Sequence, residues 1–212
     1  MTLILLISLF AYILGSIPFG LILSRKILNI DIRKLGSNNI GATNVIRAGN
    51  TKIGALTLLL DISKVIIPIM IAKYFDINAN MIIVIGFLSL LGHVFPIWLN
   101  FRGGKGVAVY FGILLIMSPL FSLLFIFIWI TIFVTTRYSS LSSIISIISI
   151  PGMYIMINMI KLNDIIYYDF LSPNEMDFRI NFTIILFISV ILLYRHMENI
   201  KRLIKGQESK LK

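Results

Sequence analysis

The chain of 212 residues contains no cysteine, two histidines, six prolines and nine acidic residues, and each scarcity removes some chemistry. Without cysteine there is no disulfide framework, no thiolate nucleophile and no zinc–thiolate site. Two histidines, His93 and His196, without a carboxylate cluster do not make a metal centre, and nothing in the sequence calls for a cofactor. Charged residues make up 13% of the chain, about half the ordinary share of about 25% in a soluble domain, while 58% are hydrophobic. Those proportions leave no room for a separate water-soluble domain, so residues 1–212 are expected to form a single integral membrane domain.

Acid is scarce where cations gather, and the formal net charge is +10. The lysines and arginines lie in short segments between apolar runs, where membrane topology places them, and not in a nucleic-acid-binding stripe. Nucleic acid is therefore not an expected partner; membrane lipid is.

Apolar runs cover about 2–24, 53–73, 81–99, 107–134, 139–160 and 180–194. The first has no basic n-region and no small-residue cleavage site, and its positive charges follow it at Arg25 and Lys26, so it reads as a retained span. The fourth would be about 42 Å long as one helix, against a hydrocarbon core of about 30 Å. Ser118-Pro119 interrupts it, and proline inside a helix removes a hydrogen bond and clashes with the preceding turn. Two helices, near 107–117 and 119–134, are expected in its place. The result is an all-α bundle of about seven transmembrane helices, with the N-terminus outside and the C-terminus cytoplasmic. This arrangement leaves Lys73, Lys161 and Arg179 outside, among Asp76, Asp164, Asp169, Glu175 and Asp177, in keeping with the positive-inside bias. The outer segment 161–179 reads as a weakly acidic connector.

Three polar segments then share the cytoplasmic side: Gly36-Ser-Asn-Asn-Ile-Gly-Ala-Thr-Asn44, Gly92 through Gly106, and Arg195-His-Met-Glu-Asn-Ile-Lys-Arg-Leu203. In Phe101-Arg-Gly-Gly-Lys-Gly106 the glycines Gly103, Gly104 and Gly106 permit close approach of an anion to backbone N–H groups. Lys105 adds a point charge, and a helix beginning near Val107 would add its positive end. The alternative is a tight turn with a topogenic Lys-Arg pair. In the first segment Ser37, Asn39, Thr43 and Asn44 offer hydrogen bonds and Arg47 offers a bidentate fork, with no carboxylate between Asp31 and Asp61. That donor-rich, acid-free stretch suits an anionic ligand, or a turn capped by its own Asx hydrogen bonds. His93 reads as a general base or donor to substrate, or as a satisfied interhelical hydrogen bonder. Asp61 and Lys64, one turn apart inside a span, are expected to pair and face the bundle interior. No Ser-His-acid arrangement is evident, so an acyl-serine intermediate is not expected. Two non-enzymatic readings, a small membrane anion or lipid transporter and a headgroup-binding scaffold, fit the composition but not the clustering of motifs at one side.

Together the segments resemble a known family. Gly15-Ser-Ile-Pro-Phe-Gly20, Asp31 through Gly49, Asp61 and Lys64, Gly92 through Val107, Arg137-Tyr-Ser-Ser-Leu, and Arg195 through Leu203 with Gly206 and Glu208 are similar, in order, to the PlsY family. These are bacterial membrane acyltransferases that move an acyl group from acyl phosphate to glycerol 3-phosphate. Asn38 and Ile40 stand where that family commonly has glycine and proline, and Val109 where a threonine is frequent. Because Asn tolerates left-handed backbone angles, the turn is expected to survive. The resemblance implies a cell-membrane enzyme of phospholipid biosynthesis with its site on the cytoplasmic side. Its substrates would be glycerol 3-phosphate and a long-chain acyl phosphate, with a functional link to an enzyme that generates the acyl phosphate. Ser37, Arg47, Lys105 and the backbone of Gly103, Gly104 and Gly106 would hold phosphate. His93, Lys105, Ser37 and Asn39 would serve catalysis, and Thr43, Asn44, Ser140, His196 and Asn199 would position substrate.

Overall fold

The computed structural model describes residues 1–160 and 178–211, and every regular element among them is helical. The helices are α1 (Thr2–Gly15), α2 (Phe19–Ile27), α3 (Ala42–Arg47), α4 (Thr51–Tyr74), α5 (Ala79–Val94), α6 (Val107–Met117), α7 (Pro119–Thr136), α8 (Ser139–Ile160), α9 (Phe178–Arg195) and α10 (Met197–Ile204). The acidic connector expected over 161–179 lies outside the described residues except for its last two positions, which open α9.

Side-chain caps set several of these boundaries. Asn50 accepts a hydrogen bond from the Ile53 amide at 2.8 Å and starts α4, and Asn78 does the same for α5 through the Asn80 amide. The expected break in the long fourth run is present. Ser118 turns the chain into extended backbone, its hydroxyl accepts from the Phe121 amide, and Pro119 opens α7, where a missing N–H costs nothing. Ser142, Ser143, Ser146 and Ser149 each return a hydroxyl proton to the carbonyl four residues earlier, so these serines of α8 are satisfied within the helix.

Four helices are long and apolar enough to cross a membrane: α4, α5 with its short continuation to Leu99, α7, and α8. Two bent pairs, α1 with α2 and α9 with α10, raise the number to six. By length alone the described helices thus give six spans rather than the expected seven, because α6 has 11 residues and measures about 16 Å. Its shortness follows from where it begins. The chain before it folds back along the end of α5, so α6 starts inside the bundle and ends at Met117, where a small cavity also touches Asn181 near the start of α9. Large apolar side chains such as Leu59, Phe127 and Phe187 face outward, as lipid contact requires, and the main core runs through α4, α5, α6, α8 and α9.

The tightest helix crossing is that of α1 with α5. A Cβ at Gly92 would fall on the Tyr12 carbonyl oxygen, and one at Gly15 on that of Ser89. Helices in lipid gain no hydrophobic drive from meeting each other, so close backbone approach at small residues supplies the attraction. The Tyr12 hydroxyl completes the contact by donating to the Phe95 carbonyl at 2.8 Å. Replacing Gly92 by valine is expected to destabilise the protein by about 1–3 kcal/mol, through overpacking against backbone that cannot move aside. Gly152→Ala, where nothing lies within 4 Å, should be neutral or slightly stabilising. Melting curves in detergent for the two variants check this.

Candidate active site

The first polar segment is organised by two side chains. Asp31 takes both guanidinium groups of Arg33 and Arg25, and these hold its carboxyl well below the usual carboxylate range. Asn44 is buried and spends its amide on the loop. Its Oδ1 accepts from the Ser37 amide at 2.9 Å, and its Nδ2 donates toward the carbonyls of Ile32, Leu35 and Asn39 at 3.0, 2.9 and 2.8 Å. Asn38 stands at φ 58°, so asparagine does occupy the left-handed turn. The loop thereby presents the Ser37 hydroxyl and the Asn39 amide outward, neither taken by a protein partner among the described residues. Thr43 is partly engaged, 3.3 Å from the Ser139 hydroxyl at the start of α8.

The lysine loop is built differently from the sequence expectation. Asn100 and Phe101 both adopt positive φ, and the chain reverses there. Gly103 N–H then donates to the Val94 carbonyl and Gly104 N–H to the His93 carbonyl, each at 3.1 Å. These two amides are therefore occupied and do not offer themselves to an anion. The glycines are needed for another reason: a Cβ at Gly103 would meet the His93 and Val94 carbonyls, and one at Gly104 would enter the His93 ring. What the loop leaves available is Lys105, Gly106 at φ 80°, and the first turn of α6, whose N–H groups have no intrahelical acceptor.

The third segment supplies the counter-charge. Glu208, buried beyond α10, accepts from Ser140 and Asn199 at 2.8 Å through Oε1, and from Arg202 at 2.7 Å through Oε2. Burial pushes its carboxyl up, but the bonds from Arg202, Asn199 and Ser140 outweigh that and keep it below its ordinary value. Arg47 donates to the Ser209 carbonyl at 3.0 Å, Arg195 to the Gly103 carbonyl at 2.7 Å, and the Leu211 amide to the Arg137 carbonyl at 2.9 Å. The three polar segments and the 137–140 turn are thus joined at one end of the bundle.

Lys105 lies within the electrostatic reach of Glu208, Arg202, Arg47 and Arg195, and its ammonium has no hydrogen-bond or carboxylate partner among the described residues. Burial first, and then the neighbouring cations against the pull of Glu208, bring its pKa down to about 8. The Nε atoms of Arg47 and Arg195 and the Oδ1 of Asn199 are buried without partners. Three arginines and a single carboxylate act on Lys105, and the spare donors of Arg47 and Arg195 point to an oxyanion ligand.

Two expected site residues sit elsewhere. His93 is buried beneath the loop, its ring against Gly104 and its Nδ1 3.7 Å from Asp61 Oδ1. Asp61 and Lys64 pair at 2.8 Å inside the bundle, as expected. His196 is buried, its Nδ1 2.7 Å from the Leu192 carbonyl. Sequence reasoning misses Arg195, Arg202 and Glu208 as site residues; the signal it offers is an acid, one of two, placed among the cations of the tail.

The chain matches the family model described as glycerol-3-phosphate acyltransferase over residues 5–206. It is 44% identical over 209 residues to a glycerol-3-phosphate acyltransferase of Pelagibacter ubique (strain HTCC1062), covering 98% of this chain and 97% of that one. It is 43% identical over 208 residues to that of Agrobacterium fabrum (strain C58 / ATCC 33970), covering 97% and 91%. The fold is similar to crystal structures of PlsY (YgiH), an integral membrane glycerol 3-phosphate acyltransferase. The glycerol 3-phosphate form gives a TM-score of 0.81 at 36% identity, covering 99% of this chain and 96% of that one. The lysophosphatidic acid form gives 0.79 at 35%, covering 99% and 95%.

Two outcomes follow from the electrostatics. A lysine titrating at about 8 is cationic below that pH, so affinity for a phosphate ligand should weaken about tenfold per pH unit above it, and Lys105→Arg should flatten the profile. Inorganic phosphate binding measured from pH 6.5 to 9.5 reads this directly. Glu208→Gln should lower stability by about 2 kcal/mol, the worth of charged hydrogen bonds lost. A carboxyl held below its ordinary 4.5 stabilises the fold above that pH and loses the contribution as pH falls through its folded value. Melting temperatures of the variant and the parent should therefore converge in acid.

Proposed function

The chain belongs to the glycerol-3-phosphate acyltransferase family, and from that premise we propose that it acylates the 1-hydroxyl of glycerol 3-phosphate using a long-chain acyl phosphate. The products are lysophosphatidate and inorganic phosphate, in phospholipid biosynthesis. The observation that carries this reading is the convergence of Arg47, Arg195 and Arg202 on Lys105 with Glu208 as the one acid acting there, a surplus of positive charge suited to substrates that both bear phosphate.

The hydroxyl oxygen attacks the acyl carbonyl carbon, the new ester bond forms, and the carbon–oxygen bond to phosphate breaks. Phosphate is already a good leaving group and can carry away the hydroxyl proton, so no protein base has to touch the substrate. Lys105, Arg47 and the first turn of α6 bind the phosphates and stabilise the charge that moves onto the leaving oxygen. Ser37 and Asn39 orient the acceptor hydroxyl or donor carbonyl. Asn44 acts through the loop it holds, Thr43 and Ser140 through their ties to α8 and Glu208, Asn199 through its bond to Glu208, and His196 through its anchorage on the end of α9. We place the site on the cytoplasmic side of the bacterial cell membrane, where the positive segments gather, with a functional link to an enzyme that generates the acyl phosphate.

The test is phosphate release by purified protein in detergent, given palmitoyl phosphate with and without glycerol 3-phosphate. Release should require the acceptor, produce lysophosphatidate and fall at least about 100-fold in Lys105→Ala. Acceptor-independent release, or a Lys105→Ala enzyme with unchanged kinetics, would overturn the assignment.

A further inference from the structure

The pair Asp61–Lys64 takes no part in the chemistry above, yet it lies between the break in the first span and the lysine loop. Lys64 is fully buried. Its Nζ sits 2.8 Å from Asp61 Oδ1, donates to the Ile17 carbonyl at 3.2 Å and lies 5.7 Å from the centre of the Phe19 ring. Ile17 belongs to the bend between α1 and α2, where the Pro18 ring interrupts the helix and its carbonyls need other donors. The Lys64 backbone is fixed in turn, because its carbonyl accepts the Ser89 hydroxyl of α5 at 2.8 Å. On its other side Asp61 faces His93 Nδ1 at 3.7 Å, a buried nitrogen with no hydrogen-bond partner. The opposite edge of that ring lies against Gly104, with no space for so much as a methyl group between them.

We propose that Asp61, Lys64 and His93 form a positioning device for the phosphate site. The carboxylate, anchored by Lys64, stands 3.7 Å from Nδ1 and limits how far the His93 ring can turn toward it. The ring is the floor on which Gly104 rests, and its height and tilt fix where Lys105 enters the cation cluster. None of the three residues touches substrate. The cost of placing an ion pair in the bundle is consistent with this, since structural stability alone is gained as well from apolar side chains of the same volume. The inference rests on the reading that Lys105 binds phosphate.

The device acts through one contact, so its members should be non-additive. Asp61→Asn with Lys64→Met removes both charges together and leaves no lone buried ion. His93→Gln leaves the ion pair intact and removes only the ring, which keeps the question open to test should the double variant fail to fold. Each is compared with the parent for melting in detergent, for protection against melting by inorganic phosphate, and for KM and kcat with glycerol 3-phosphate. Misplacing Lys105 by a fraction of an ångström to one ångström should raise KM and weaken phosphate protection by about 10- to 100-fold. Combining the double variant with His93→Gln should add little beyond His93→Gln alone.

Melting losses with KM and phosphate protection unchanged would overturn the proposal and leave the pair a folding element. Fully additive losses in phosphate affinity would overturn it as well, since the pair would then act by a route other than His93. A parent protein that binds phosphate but does not turn over would count against the acyltransferase reading, while the phosphate-protection arm would still decide this one.

Discussion

Positive side chains drawn together at the end of a membrane bundle and half-buried there repel one another. Glu208 makes their convergence tolerable. Its two oxygens take Arg202, Asn199 and Ser140, and its charge is the one negative contribution acting on Lys105. The balance is deliberately incomplete in physical terms: one carboxylate cannot neutralise four cations, and the remainder is available to a dianionic ligand. A second acid here would have stabilised the empty protein and weakened its hold on phosphate.

The same economy explains the glycines. Gly103 and Gly104 let the chain run back against the end of α5, with carbonyls on one side and an imidazole on the other, so that a lysine can enter the bundle without its backbone losing hydrogen bonds. Recessing the loop shortens the helix that follows, and the break at Ser118-Pro119 releases α7 to run its own course. Local backbone sterics and helix length are in this respect one problem.

Much of this was legible in the residues. The apolar runs announced the bundle and Pro119 its interruption. Charge bias put the polar segments on one side, and the hydrogen bonds among Arg47, Arg195, Arg137 and the tail show that they meet. What sequence could not yield was which hydrogen-bonding groups remain free after folding. Asn44 looked like a donor for substrate and proves to be consumed by four loop atoms. The amides of Gly103 and Gly104 looked like a phosphate cradle and are spent on α5. Glu208 is one of two acids in a basic tail, and what sets it apart is Ser140 of the distant α8, brought beside it to join Arg202 and Asn199. Pairings across such separations are properties of packing, not of spacing.

Glu208 follows the last membrane helix in the chain. A ribosome making this protein therefore delivers α1 and the segments that carry Arg47 and Lys105 to the bilayer before the residue that reconciles the cluster has emerged. Until then Arg47 and Lys105 lie at the membrane surface as ordinary topogenic charges, free to orient the helices they flank. Only the closing of the tail over the assembled bundle turns them from signals for insertion into parts of a binding site. The order of synthesis thus separates in time two uses of the same side chains that would otherwise compete.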